Sequence, residues 1–216
     1  GAYLIDVESA EEGYLAKEDA KKQEEAAQAT VVETESAAQP DSSLASTGSS
    51  PEGRAEDEGP ENMFKKDEGR WGSGGVVITG VTLRDAAGEA GHVFQSGQPM
   101  SIELAVKADK PCDDFVFGIA MFNSDGTCVY GTNTDIEEYQ AESLTGEATI
   151  TFLIDAVDLV EGTYKLDVAV HRRDGAPYDY HRLLYTFRVK SRIRDVGIYR
   201  PDHHWLFEGG IKLSNQ

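Results

Sequence analysis

From Val76 onward the chain is written in short segments of alternating apolar and polar residues, separated by turn residues. Side chains in a strand point alternately to opposite faces, so this pattern fits strands with one face buried and excludes a helical bundle. Val77, Thr79, Val81 and Leu83 alternate, and Asp85-Ala86-Ala87-Gly88 turns the chain. Ile102, Leu104 and Val106 face one way while Ser101, Glu103 and Lys107 face the other. Phe115 to Phe122 is almost continuously apolar, as expected of a central strand covered on both faces. Cys128 to Asn133 returns on it across Asn123-Ser124-Asp125-Gly126, the residue types a tight hairpin requires.

Three more strands follow: Ile150, Phe152 and Ile154; then Tyr164, Leu166, Val168 and Val170; then Leu183, Tyr185, Phe187 and Val189. About seven antiparallel strands in this span predict an all-β, immunoglobulin-like sandwich. In Leu159-Val160-Glu161-Gly162-Thr163-Tyr164 a Leu, a Gly and a Tyr precede an alternating strand. Either a tyrosine corner, with the phenol reaching back to backbone, or a plain inward-facing Tyr164 accounts for that pattern. After Lys190 the alternation breaks, and the apolar tail from Val196 to Leu213 must dock on its own domain or on a neighbour.

The preceding residues read differently. Tyr14 to Ala29 is rich in Ala, Glu, Lys and Gln without an apolar stripe, which predicts a frayed, solvated helix. Thr30 to Asp67 shifts to Ser, Ala, Glu, Gly and Pro, too few apolar groups to offset the entropy of ordering. Residues 1–69 are therefore expected to be an acidic linker, partly helical then disordered, and 70–216 the folded domain. The chain opens Gly-Ala without Met and is read as a fragment of a longer protein.

Charge and motif content exclude several classes of function. With 39 acidic and 20 basic side chains the chain carries a net charge of −19, which disfavours nucleic acid and anionic lipid as partners. No apolar run approaches the roughly 20 residues of a spanning helix, and no basic-then-apolar leader is present. Cys112 and Cys128 are too few for a disulfide scaffold or a cysteine zinc site, and are read as reduced thiols. The five histidines lack H-E-x-x-H spacing, and neither phosphate-loop glycines nor a G-x-S-x-G elbow occurs. No cofactor, no metal and no catalytic residue are expected.

A sandwich with aromatic and hydrogen-bonding residues near strand ends suits sugar, whose ring faces are apolar and whose hydroxyls need partners. Tyr130, Tyr178, Tyr180 and Trp205 are the candidate aromatics, each equally able to serve as core or as tail anchor. The cluster Tyr130 to Thr134 is either the polar end of a hairpin or part of a site.

Taken together, Arg70-Trp71-Gly72-Ser73-Gly74 leading into Val76-Val77-Ile78-Thr79-Gly80-Val81, then Val116-Phe117-Gly118-Ile119, Asp125-Gly126, Val129-Tyr130-Gly131-Thr132-Asn133-Thr134, Gly162-Thr163-Tyr164, Tyr178-Asp179-Tyr180-His181, Asp195-Val196-Gly197-Ile198 and His204-Trp205 resemble a known family. It is the C-terminal carbohydrate-binding domain of Wzt-type ATP-binding subunits, which belong to ABC transporters exporting bacterial O-antigen and related polysaccharides. The resemblance covers about Arg70 to Leu206. It implies a non-catalytic β-sandwich binding the exported glycan at the cytoplasmic side of the inner membrane. It also implies a homodimer with an exchangeable terminal strand, and an upstream ATPase domain that contacts the transporter's membrane subunit. Carbohydrate-facing residues are expected at Tyr130, Asn133, Asp167, His171, Tyr178, Tyr180 and Arg182, chosen from chemistry and strand alternation. The competing expectation is an assembly domain that pairs exporter subunits through its tail without affinity for glycan.

Overall fold

The computed structural model describes residues 13–26, residue 28 and residues 69–211. The expected disordered stretch, Thr30 to Asp67, lies outside the described residues. Among the described residues nine strands form two sheets: β1 (Gly69–Trp71), β2 (Val77–Arg84), β3 (Val93–Gln95), β4 (Met100–Cys112), β5 (Val116–Asn123), β6 (Cys128–Asn133), β7 (Leu144–Ile154), β8 (Gly162–His171) and β9 (Pro177–Lys190). The larger sheet runs β1-β9-β8-β5-β6, with β3 also on β9, and the smaller runs β2-β4-β7. All pairings are antiparallel except β3 with β9. The all-β sandwich read from the alternation is the fold. Strands β1 and β3, three residues each, are too short to leave a period.

The core lies between the sheets. Ile102, Leu104 and Val106 of β4 meet Leu166, Val168 and Val170 of β8 and Tyr185, Phe187 and Val189 of β9, all nearly or fully shielded from water. Each such side chain contributes about 1.5–3 kcal/mol by its burial. Tyr164 is a true corner: its hydroxyl donates to Val160 O at 2.9 Å, and it is 2% exposed.

Two strands depart from simple alternation. In β2 the register slips between Ile78 and Gly80, so the buried set is Val76, Ile78 and Leu83 rather than the Val77-Thr79-Val81-Leu83 series. An extra residue in one strand of a pair reverses the phase of what precedes it. In β9 the register slips opposite Asp167, and Leu183 takes a left-handed φ of 52°. Leu184, and not Leu183, joins the core there.

The helix α1, residues 13–26, is docked instead of solvated. Its inward stripe is Leu15, Asp19 and Ala26, at helical spacing but with an acid at the centre, which is why no apolar stripe is visible in the sequence. Along the same border of β9, β1 reaches only to Arg182 and β3 begins at Arg188. Asp19 fills the interval: both its carboxylate oxygens lie 3.0 Å from Thr186 N, while His92 Nδ1 donates to Thr186 O at 3.1 Å. Burial lifts the Asp19 carboxyl to about 6, against the lowering pull of the Thr186 N–H, His92 and Lys22.

At the opposite border, between β6 and β7, the sandwich gapes. Ile150, Phe152 and Ile154 are only half-buried and Leu153 is 72% exposed. The tail is tied to the domain where Val160 N donates to Ile198 O and Arg200 N to Asp158 O, and Ile198 packs against the core there. Beyond it Trp205, 78% exposed, and Leu206 stand in solvent.

Candidate functional site

In β8 the odd-numbered residues Lys165, Asp167, Ala169 and His171 face away from the core, because Leu166, Val168 and Val170 face into it. On the antiparallel ladder paired residues share a face, so the register carries this outer surface across the sheet. Trp71 of β1 pairs with Tyr180 of β9, Tyr180 with Ala169 of β8, Ala169 with Gly118 of β5, and Gly118 with Asn133 of β6. One row thus runs from two stacked aromatics, across two of the smallest residues, to an amide. The next row repeats the dip, with Asp167 opposite Ala120 and Ala120 opposite Gly131.

The result is a trough of about 320 Å³ floored by Gly118, Ala120, Gly131 and Ala169. Asn133, Ile136, Asp167, His171 and Tyr180 stand around it. Its size lies at the low end of small-ligand sites. A methyl group added at Gly118 would sit in ordinary contact with Asn133 and His171, so the hollow exists because the residue there is glycine.

Each wall residue is held by specific partners. Tyr180 stacks on Trp71 with centroids 4.5 Å apart, and its hydroxyl donates to Asp167 Oδ2 at 2.9 Å. Burial and the neighbouring Asp167 carboxylate push the Tyr180 hydroxyl well above the ordinary tyrosine range. Asp167 is 3% exposed, and its Oδ1 accepts from Leu183 N, the N–H released by the β9 bulge, at 2.7 Å. Burial raises its pKa, only partly opposed by those two hydrogen bonds and by Arg182.

His171 Nδ1 lies 2.7 Å from Arg172 O. A carbonyl oxygen only accepts, so Nδ1 carries the proton and Nε2 faces the floor beside Gly118. Asn133 Oδ1 accepts from Ile136 N at 2.7 Å, so what it offers a ligand is its amide N–H2. The trough therefore presents an aromatic wall, an apolar floor, one amide donor and one imidazole nitrogen, a set matched to a flat, hydroxyl-bearing molecule.

Of the seven candidate residues, the structure brings Asn133, Asp167, His171 and Tyr180 together. Tyr130 pairs with Met121, faces the inter-sheet side and stacks beside Phe152 at the gaping border. Tyr178 belongs to the core cluster, with its hydroxyl 3.4 Å from Cys112 Sγ and the Arg172 guanidinium over its ring. Arg182 is largely buried at the β9 bulge, behind Asp167. Trp205 stacks near Phe207 in the exposed tail. In the cluster Tyr130 to Thr134, Thr132 Oγ1 donates to Glu137 and Thr134 Oγ1 accepts from Phe117 N to close the hairpin end, while Asn133 lines the trough.

Trp71 and the small floor residues were not among the candidates. Their signal is a row across five strands, and only the register reveals it. Among the described residues, no three His, Cys, Asp or Glu side chains come close enough to hold a metal, and no helix is long and apolar enough to cross a membrane.

Comparison with known proteins agrees with this architecture. A profile of the Wzt C-terminal domain matches residues 67–201. The O-antigen export system ATP-binding protein RfbB of Myxococcus xanthus is 28% identical over 137 residues, which is 63% of this chain and 30% of that protein. The chain thus spans less than a third of the length of that relative. The crystal structure of the C-terminal domain of wzt shares the fold with a TM-score of 0.60 and 22% identity, over 67% of this chain and 91% of that one. On the sandwich and on a profile match that runs through nearly all of it, this chain belongs to the Wzt C-terminal domain family.

Proposed function

We propose that the chain is a non-catalytic carbohydrate-binding module that captures an O-antigen-type polysaccharide for an ABC exporter. The observation that carries this reading is the trough, where a stacked Trp71-Tyr180 pair faces Asn133 across a floor of Gly and Ala. A sugar ring laid in it covers the apolar floor with one face, and Asn133 and His171 Nε2 meet its hydroxyls. The RfbB relative is an ATP-binding protein of an O-antigen export system, which agrees with an ATPase domain elsewhere in the same polypeptide. On this reading residues 70–216 form the module with α1 packed on it, the rest of residues 1–69 tethers it, and it works at the cytoplasmic side of the inner membrane. ATP hydrolysis and contact with the membrane subunit are left to the ATPase domain. Tethering raises the local concentration of the captured glycan at the transporter, so weak binding per module suffices.

A second reading rests on the tail and the gaping border. Tyr199, Trp205, Leu206 and Ile211 expose apolar surface, and β7 offers an eleven-residue edge beside half-buried Phe152 and Ile154. A tail exchanged between two copies would cover both. Pairing of this kind is compatible with glycan capture, and on its own it describes an assembly domain.

Calorimetric titration of the full chain with repeat-unit oligosaccharide from the producing strain separates the two. Binding that is lost in Tyr180→Ala supports capture. Absence of heat and of NMR shifts at millimolar repeat units leaves assembly alone. Light scattering before and after removal of residues 196–216 tests the exchange, with a fall from dimer to monomer expected.

A further inference from the structure

The segment from Gly69 to Gly74 is laid along β9 more tightly than a three-residue strand requires. Gly69, Arg70 and Trp71 pair with Arg182, His181 and Tyr180; Ser73 N then donates to Pro177 O and Gly74 N to Tyr178 O. Gly72 has φ 150°, and a Cβ there would lie 2.3 Å from Tyr178 O, so glycine is what permits so close an approach.

Neighbouring side chains of β1 go to opposite faces of the sheet. Arg70 turns to the inter-sheet side, where its Nε and Nη2 donate to Asp179 at 2.8 and 2.6 Å and Nη2 also reaches Ile78 O. Trp71 turns to the outer face and stacks on Tyr180. Tyr180 is itself nine-tenths buried, and the half-buried Trp71 ring backs it from one strand further out. The element that completes the aromatic wall is therefore also the first strand of the sandwich, where the chain arriving from before Gly69 is attached.

We propose that Trp71 is a positioning residue of the trough, and that through it β1 couples ligand occupancy to attachment of the preceding chain. This rests on the glycan-binding reading and adds to it a route by which capture is felt outside the domain. Coupling is reciprocal: a ligand that binds better when Trp71 is stacked must, once bound, hold β1 more firmly on β9. A short edge strand belongs to the part of a fold that opens locally at low cost, so the coupling is readable there.

The test uses the full chain, repeat-unit oligosaccharide from the producing strain, and hydrogen exchange followed on the segment 69–72, with β4 as control. Saturating oligosaccharide is expected to slow exchange in 69–72 about tenfold, within the range of ordinary coupling energies. Trp71→Ala should weaken binding by about the same factor, and Trp71→Phe, which keeps a stacking ring, should recover most of it. Undiminished affinity in Trp71→Ala, or exchange in 69–72 that the bound sugar does not move, overturns the coupling and leaves glycan binding intact. A second arm needs no sugar: Tyr180→Ala should speed exchange in 69–72 but not in β4, while Tyr180→Phe keeps the original rate. Equal rates in all three proteins overturn the coupling even if no oligosaccharide binds. Failure of the unaltered chain to bind oligosaccharide overturns the glycan reading, and with it the ligand half of this proposal.

Discussion

Asp167 and Asp179 stand on adjacent strands of one sheet, both almost completely buried, yet on opposite faces, and their acidities move in opposite directions. Burial works against the charged form of both. At Asp179, the close approach of His181 Nε2 at 3.2 Å and the hydrogen-bonded Arg70 guanidinium outweigh burial and bring the pKa below the ordinary value; Ile78 N adds a further bond at 2.7 Å. At Asp167 the hydrogen-bonding partners are the neutral Leu183 N and Tyr180 hydroxyl, and burial prevails. The inter-sheet carboxylate is a staple, joining β1 and β9 of one sheet to β2 of the other. The outer-face carboxylate secures a bulge and aims a tyrosine at the trough.

That contrast is sharpest if each acid is removed. Asp179→Leu should be the most damaging change, costing about 3–5 kcal/mol in chemical denaturation, because Arg70 loses its counter-charge and Ile78 N its acceptor. Asp167→Ala should cost about 1–3 kcal/mol, since Leu183 N is left without an acceptor, and should also reduce glycan binding by freeing Tyr180. Equal losses from the two substitutions would erase the distinction between staple and site.

The pH dependence should separate the pair by sign. Asp167 has a raised folded pKa, so its contribution is complete below the unfolded value near 3.8 and is lost as pH rises through the folded value. Asp179 has a depressed one, so its contribution is present above the unfolded value and is lost as pH falls through the folded value. Stability measured against pH for Asp167→Asn and Asp179→Asn should therefore diverge from the parent in opposite directions, and parallel curves would refute the assignment. The smallest structural effect is expected from Gly118→Ala. Its added methyl meets only ordinary contacts, so stability should change by no more than about 0.5 kcal/mol, while calorimetry should show weaker glycan binding as the trough floor rises.

The sandwich was legible because one buried face stamps a period of two on β4 and β8, whose inward series are those the alternation marks. The same rule placed Asp167 and His171 on the outer face, and both line the trough. Alternation fails where the backbone inserts a residue. The bulge after Ile78 reverses the phase of β2, and the bulge at Leu183 moves burial to Leu184, with nothing in either side chain to announce it. It is equally silent on register, so it could not set Trp71 in line with Tyr180, Ala169, Gly118 and Asn133. The floor was invisible for another reason: a hollow is made by side chains that are missing, and Gly118 and Gly131 read as turn or strand filler. Asp19 hid the docking face of α1 because hydropathy scores an acid as solvent-facing, whatever N–H awaits it.

The border of β9 that β1, α1 and β3 share among them has a lasting consequence for how copies of this molecule meet. With its amides and carbonyls claimed piece by piece by Trp71, Asp19, His92 and Val93, that rim of the larger sheet cannot template another strand. Among the described residues the margin of the larger sheet left without a neighbouring strand is β6, so a strand arriving from outside has that side of this sheet to pair with and not the side of β9.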